Sequence, residues 1–204
     1  NLCARTKSNH HAPALFGIVQ GGMFKDLRIQ SAKFVNAQNL IGNAIGGLSV
    51  GESKPVMLEM LEATIPHLAE NKPRYLMGIG TPEDLLESVE RGIDMFDCAH
   101  PTRMARHGAF WTTHGRFSIR KEMFKADKRP LDTSCTCETC RTFSRSYLRH
   151  LLMEEEILGL HALTIHNLHF LLNLMQEIRV QISKKTFLKF KKNFLAKFKS
   201  NAGS

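Results

Sequence analysis

The sequence predicts an α/β protein in which parallel strands alternate with crossover helices. Two patterns carry that reading. Short apolar runs recur along the first half of the chain, and each is followed by a stretch whose apolar residues have helical spacing. The connections between them are short, as βα units require.

The elements follow in order. "ALFGIV" (Ala14–Val19) reads as a buried strand, and "MFKDLRIQSAKFVNA" continues with helical periodicity. "NAIGGLSV" is the second strand, with glycines towards its end. "SKPVMLEMLEATIPHLA" is a helix with Ser53 as N-cap and Pro55 in its first turn. "RYLMGIG" is the third strand. In "TPEDLLESVERG" Thr81 caps, Pro82 opens, Glu83 and Asp84 sit in the first turn and Gly92 terminates. "IDMFDC" is the fourth strand.

This order fits half of an eight-stranded barrel or a small open sheet. In both, functional residues gather at the C-terminal ends of the strands. Those ends are Gln20–Gly22, Gly46–Gly51, Met77–Gly80 and Asp97–Cys98. After Cys98 the rhythm breaks. Residues 101–140 are rich in Arg, His, Thr and Gly, with a hairpin expected at "GAFWTTHGRFSI". From Arg141 onward the pattern is helical.

The 204 residues are 43% hydrophobic, enough for a real core, and no apolar run approaches the ~20 residues of a membrane span. No signal peptide is visible, and a start at Asn1 hints at a fragment. The net charge of +9 points to an anionic partner, most commonly nucleic acid. A lysine-rich tail from Lys184 to Lys199 supplies much of it, so tail and body are equal candidates for that contact.

Five cysteines, three of them crowded, suit a reducing compartment with a metal site better than a disulfide framework. Cys135, Cys137 and Cys140 are spaced C-x-C-x-x-C and can hold one tetrahedral Zn²⁺ if a fourth ligand joins them. His161, His166 and His169 are the candidates downstream. His166 and His169 share a helix face, and spacing does not choose among the three. The bland alternative is three unliganded thiols. Cys3 has no local partner. Cys98 and His100 could form a nucleophilic pair, but Cys98 reads better as a small residue closing a strand.

Asp97 stands at the end of the fourth strand. There a carboxylate is a nucleophile, a base, a metal ligand, or merely a partner for Arg103 or Arg106. Those two arginines suit a phosphate-bearing substrate, or an ordinary solvated loop. "GIVQGG" and "GGLSVG" let the backbone approach a planar ligand, though any βα loop can use glycine.

Taken in order, "FGIVQGG", "GGLSVGE", "YLMGIG", "RGIDMFDCAHPTR", "CTCETC" and "HN" resemble the bacterial tRNA-guanine transglycosylases, also called queuine tRNA-ribosyltransferases. The likeness runs from about Ala14 to Met175. It implies the C-terminal half of a (β/α)₈ TIM-type barrel with a zinc-binding insertion and C-terminal helices. The implied division is 1–100 for the half-barrel, 101–182 for the zinc-binding and helical part, and 183–204 for a basic tail. The family's N-terminal half, with an aspartate proposed as general acid/base and another that reads the base, has no counterpart here.

The resemblance implies exchange of guanine 34 in a tRNA with a GUN anticodon for a 7-deazaguanine base. Asp97 falls on the nucleophile. Gln20, Gly47 and Leu48 fall on positions that hold the base, Tyr75 and Met77 on residues that sandwich it, and Glu52 on one that organises the aminomethyl pocket. Arg103 and Arg106 match anticodon-loop contacts. Cys135, Cys137, Cys140 and His166 match the ligands of one structural Zn²⁺. Phe143, Tyr147 and His150 match an aromatic patch at a homodimer interface. A cytoplasmic enzyme without membrane association follows. Ile165, Leu171 and "NLIGNAI" depart from the family pattern. The alternative is a non-catalytic zinc-containing tRNA-binding fragment or accessory subunit.

Overall fold

A computed structural model describes residues 13–199. Cys3 and the ends of the first and last expected segments lie outside the described residues. The chain forms two compact units, one ending at Cys98 and the next beginning at Ala99.

In the first unit four parallel strands pair in chain order: β1 (Phe16–Val19), β2 (Gly42–Ile45), β3 (Arg74–Leu76) and β4 (Met95–Phe96). Crossover helices α1 (Lys25–Ala37), α2 (Lys54–Thr64) and α3 (Pro82–Glu90) join them. The register aligns Val19, Ile45, Leu76 and Phe96 in one row, facing the helices. Ala32 and Val35 of α1 and Met57, Met60 and Leu61 of α2 complete that core. Burying a side chain the size of Ile45 or Leu61 contributes about 1.5–3 kcal/mol. The row on the opposite face is Ile18, Ala44, Tyr75 and Met95, of which Ile18 and Met95 are 46% and 44% exposed.

Local signals hold where they are strongest. Thr81 Oγ1 accepts from Asp84 N at 3.2 Å, and Gly92 ends α3 at φ +87°, a left-handed conformation suited to glycine. Ser53 occupies the N-cap position of α2, but its hydroxyl makes no capping bond. The fourth strand is shorter than the apolar run suggested. Asp94 donates its N–H to Arg74 O and accepts from Arg74 N on Oδ2, so a side chain replaces the ladder there.

The second unit starts with α4 (His100–Arg106) and a hairpin of β5 (Ala109–Thr112) and β6 (Gly115–Ser118). Thr112 pairs with Gly115, leaving Thr113 and His114 as the two-residue turn. Then come α5 (Glu138–Thr142), α6 (Arg145–Met153), α7 (Ile157–Ser183) and α8 (Phe187–Lys199). Phe110, Phe124, Leu131, Leu148, Leu152 and Leu163 form its main core. A smaller cluster joins Trp111, Phe170 and Phe198. By length and composition α7 is apolar enough to cross a membrane, which the sequence reading did not anticipate. Its inward face instead carries His166 and Asn167, both fully buried and bonded to protein backbone.

Candidate functional site: a strand-end rim and a thiol–imidazole cluster

Asp97 follows β4 directly, and Tyr75 lies on the neighbouring β3. The Tyr75 hydroxyl donates to Asp97 Oδ1 at 2.6 Å, and Gly78 N–H donates to the same oxygen at 2.8 Å. Oδ2 is the oxygen these bonds do not hold. The carboxylate is exposed to solvent. The hydrogen bond from Tyr75, then that from Gly78, holds the Asp97 carboxyl below its usual value. The same bond, with smaller contributions from burial and the Asp97 charge, pushes Tyr75 up to about 12.

Gln20 and Gly47 meet at the ends of β1 and β2. A Cβ at Gly47 would lie 2.5 Å from Gln20 Oε1, and one at Gly46 would lie 2.5 Å from Gln20 Nε2. The amide therefore lies flat against this backbone, and Gly47 holds φ +66°. The following loop is tied by Glu52, whose carboxylate accepts from Ser49 N and from Val50 N. Burial pushes Glu52 up, but these backbone bonds outweigh it and leave its carboxyl below the usual value.

In the second unit four ligand atoms converge. His166 Nδ1 lies 3.6, 3.5 and 3.3 Å from the sulfurs of Cys135, Cys137 and Cys140. A tetrahedral ion with Zn–S near 2.3 Å and Zn–N near 2.0 Å sets an N···S edge of about 3.5 Å. All four ligand atoms lie within 4.8 Å of one another, so the donor set fits a single zinc ion. His166 Nε2 is 2.7 Å from Trp111 O, and donating there leaves the Nδ1 lone pair for the metal. Cys137 caps α5 and accepts from Cys140 N on its sulfur. Hydrogen bonds with Cys135 and then Cys140 hold the Cys137 thiol well below its ordinary value, towards the thiolate that binds metal.

A family profile described as Queuine tRNA-ribosyltransferase matches residues 1–200. Queuine tRNA-ribosyltransferase of Halothermothrix orenii is 52% identical over 189 residues, which are 93% of this chain and 51% of the relative. Its namesake in Staphylococcus haemolyticus is 50% identical over 199 residues, 98% of this chain and 52% of the relative. In Acetivibrio thermocellus the figure is 51% over 197 residues, 95% of this chain and 53% of the relative.

This chain belongs to the queuine tRNA-ribosyltransferase family. It spans about half the length of the curated relatives it matches.

Within this queuine tRNA-ribosyltransferase family chain, Gln20, Gly47, Met77 and Asp97 sit just beyond the C-terminal ends of adjacent strands, and Tyr75, in the middle of β3, reaches Asp97 with its hydroxyl. Leu48 differs: its side chain is 4% exposed and packs with the helix-side core, so only its backbone faces the rim. Met77 is half-buried, and its N–H donates to Ile45 O. Arg103 and Arg106 are exposed on α4, because Met104 and Ala105 turn inward. Phe143 and Tyr147 lie 5.5 Å apart, ring to ring, and Tyr147 and His150 are exposed on α6. Of the three candidate histidines, His161 is exposed and His169 Nε2 bonds Asn173 at 2.7 Å.

Sequence reasoning missed two contributions. Arg28 of α1 is fully buried, and its guanidinium donates to the carbonyls of Gly22, Gly46 and Gly47. It clamps both glycine loops together. Burial lowers its pKa, and the charge of Glu52 opposes that shift. The signal was available: Arg28, Ala32 and Val35 share one helical stripe, and an arginine there needs acceptors. Asn167 was quoted only as half of "HN". Its Oδ1 accepts from Trp111 N, while Nδ2 donates to Pro101 O and Ala109 O. His166 and Asn167 thus grip both backbone groups of Trp111.

Proposed function

We propose that this chain carries the nucleophilic half of a tRNA-guanine transglycosylase. The reading rests above all on Asp97, an exposed carboxylate whose Oδ1 is fixed by Tyr75 and Gly78. Asp97 Oδ2 attacks C1′ of guanosine 34 as the C1′–N9 bond breaks, and guanine leaves with the electron pair. A covalent ribosyl-aspartate forms. The 7-deazaguanine base then attacks C1′ through its ring nitrogen and releases the Asp97 carboxylate. Two inversions give net retention, as in a retaining glycosidase. Protonation of the leaving guanine, and then removal of the ring N–H proton from the incoming base, falls to the aspartate that the family resemblance puts in its other half.

The other roles follow from position. Tyr75 orients Asp97, beyond any stacking by its ring. Gln20 and the peptide groups of Gly47 and Leu48 present amide donors and acceptors to a purine edge, with Met77 against its face. Glu52 organises the neighbouring loop. Arg28 is a positioning residue beneath the glycine floor. Arg103 and Arg106 contact anticodon-loop phosphates. The zinc cluster uses four protein ligands and so braces the fold. Phe143, Tyr147 and His150 form a homodimer contact of a cytoplasmic enzyme.

We further read the sheet as half of a (β/α)₈ barrel. Its support is the unbroken parallel order and the bare apolar row at Ile18 and Met95. The test is incubation with a GUN-anticodon tRNA, followed by a denaturing gel and a labelled-guanine exchange assay. Wild type should give a denaturation-resistant adduct, and Asp97→Asn should give none. An undiminished adduct in Asp97→Asn removes Asp97 as nucleophile. Retained tRNA binding without exchange favours the non-catalytic alternative.

A further inference from the structure

Glu177 is the last acidic residue of the sequence. From Ile178 to Ser204 there are eight cations, Arg179 and seven lysines, so this segment carries eight of the nine net positive charges. The fold sorts those charges. Phe190, Phe194 and Phe198 recur at four-residue intervals on α8, with ring centroids 6.0 and 5.4 Å apart. Phe198 meets Phe170 of α7 at 6.5 Å and is 3% exposed, in the cluster that contains Trp111. With that face turned inward, helical spacing turns Lys189 and Lys192 outward, and both are exposed.

A cavity of about 480 Å³ borders this arc, lined by Thr113, Gln181, Lys189, Phe190, Asn193 and Lys197. Cations and neutral amide or hydroxyl groups share its wall with aromatic carbon.

Two polyanions suit a basic amphipathic helix, a nucleic-acid backbone and an anionic bilayer. A bilayer takes up the apolar face of such a helix. Here Phe198 and, in part, Phe194 are packed into the cluster of Trp111 and Phe170, Leu188 is an apolar side chain of α8 left exposed, and the cationic arc is the larger surface that remains for a ligand. Phosphodiesters need only that arc.

We propose that the lysine arc of α8, with the cavity beside it, is a sequence-independent contact for the phosphodiester backbone of RNA, distinct from the residues assigned to base exchange. The choice of RNA rests on the transglycosylase reading above. Lys189 and Lys192 position the strand and read no base.

The experiment uses the whole chain and two fluorescently labelled tRNAs, one with a GUN anticodon and one without. Binding is followed by anisotropy across a salt series, for wild type and for Lys189→Gln/Lys192→Gln. Circular dichroism and zinc content establish that the variant is folded. Both tRNAs should bind the variant roughly 10- to 30-fold more weakly at 0.15 M salt, with the salt slope reduced by about 1.4–1.8. Asp97→Asn should keep the wild-type slope. Unchanged affinity and slope in the lysine variant overturn the proposal, as does a loss confined to the GUN tRNA. Binding to phosphatidylserine vesicles that the lysine variant loses, while its tRNA binding stands, overturns it in favour of a bilayer. If wild type forms no adduct yet the slopes still differ, the transglycosylase reading fails and this contact stands.

Discussion

The Tyr75 hydroxyl and Asp97 Oδ1 are 2.6 Å apart although 22 positions separate the residues in the chain. Parallel pairing of Tyr75 with Met95 creates that contact, because it sets Asp97 one pleat beyond its neighbour. The bond fixes one carboxylate oxygen and does not engage the other.

Tyr75→Phe should raise the Asp97 pKa, since its largest hydrogen-bond donor is lost. Asp97 has a depressed folded-state value. Its ionised form is therefore favoured in the native protein above the unfolded value near 3.9, and that contribution disappears as pH falls through the folded value. The carboxylate is exposed, so the effect on stability is small. Carboxyl carbon shifts followed by NMR titration should show the acid limb moving to higher pH in Tyr75→Phe. Adduct formation should slow roughly 10- to 100-fold through misplacement of the nucleophile. An unmoved Asp97 titration would mean that the bond is not formed in solution.

Arg28→Met should destabilise the first unit by about 1–3 kcal/mol, because the buried carbonyl of Gly46 and the partly exposed ones of Gly22 and Gly47 lose their donor. Arg28→Lys keeps the charge but cannot span all three acceptors, and should recover only part of the loss. Urea midpoints measure both. A midpoint for Arg28→Met within error of wild type contradicts the clamp.

Zinc should be bound at one ion per chain, and His166→Ala should reduce that stoichiometry. Trp111 is the sole tryptophan, and its carbonyl meets His166 Nε2. Its fluorescence should therefore respond to chelation. A spectrum unchanged after verified metal removal argues that the cluster does not brace the hairpin.

Gly47→Ala should weaken base binding more than it slows chemistry. The new methyl meets Gln20 Oε1, and φ +66° costs a side chain about 1–2 kcal/mol. A raised KM for the base with kcat nearly unchanged is the expected signature. A fall in kcat alone would place Gly47 outside the base pocket.

The sequence by itself determined what spacing along the chain controls. Alternating apolar runs placed four strands and three crossover helices. Thr81, Pro82 and Gly92 marked the ends of one helix. Three thiols within six positions announced a metal site, and Asp97 fell at a strand end whichever sheet was drawn. These features depend on one or two turns of backbone, so local geometry suffices. Spacing left His161, His166 and His169 open and the family resemblance pointed to His166; tertiary structure supplied the reason, because a 27-residue helix offers all three and packing against Trp111 turns one towards the sulfurs. It likewise assigned Arg28 to the glycine loops and turned Phe194 and Phe198 of α8 inward, leaving Lys189 and Lys192 to solvent. Contacts of that kind join residues far apart in the chain, and their partners exist only once strands have paired and helices have docked.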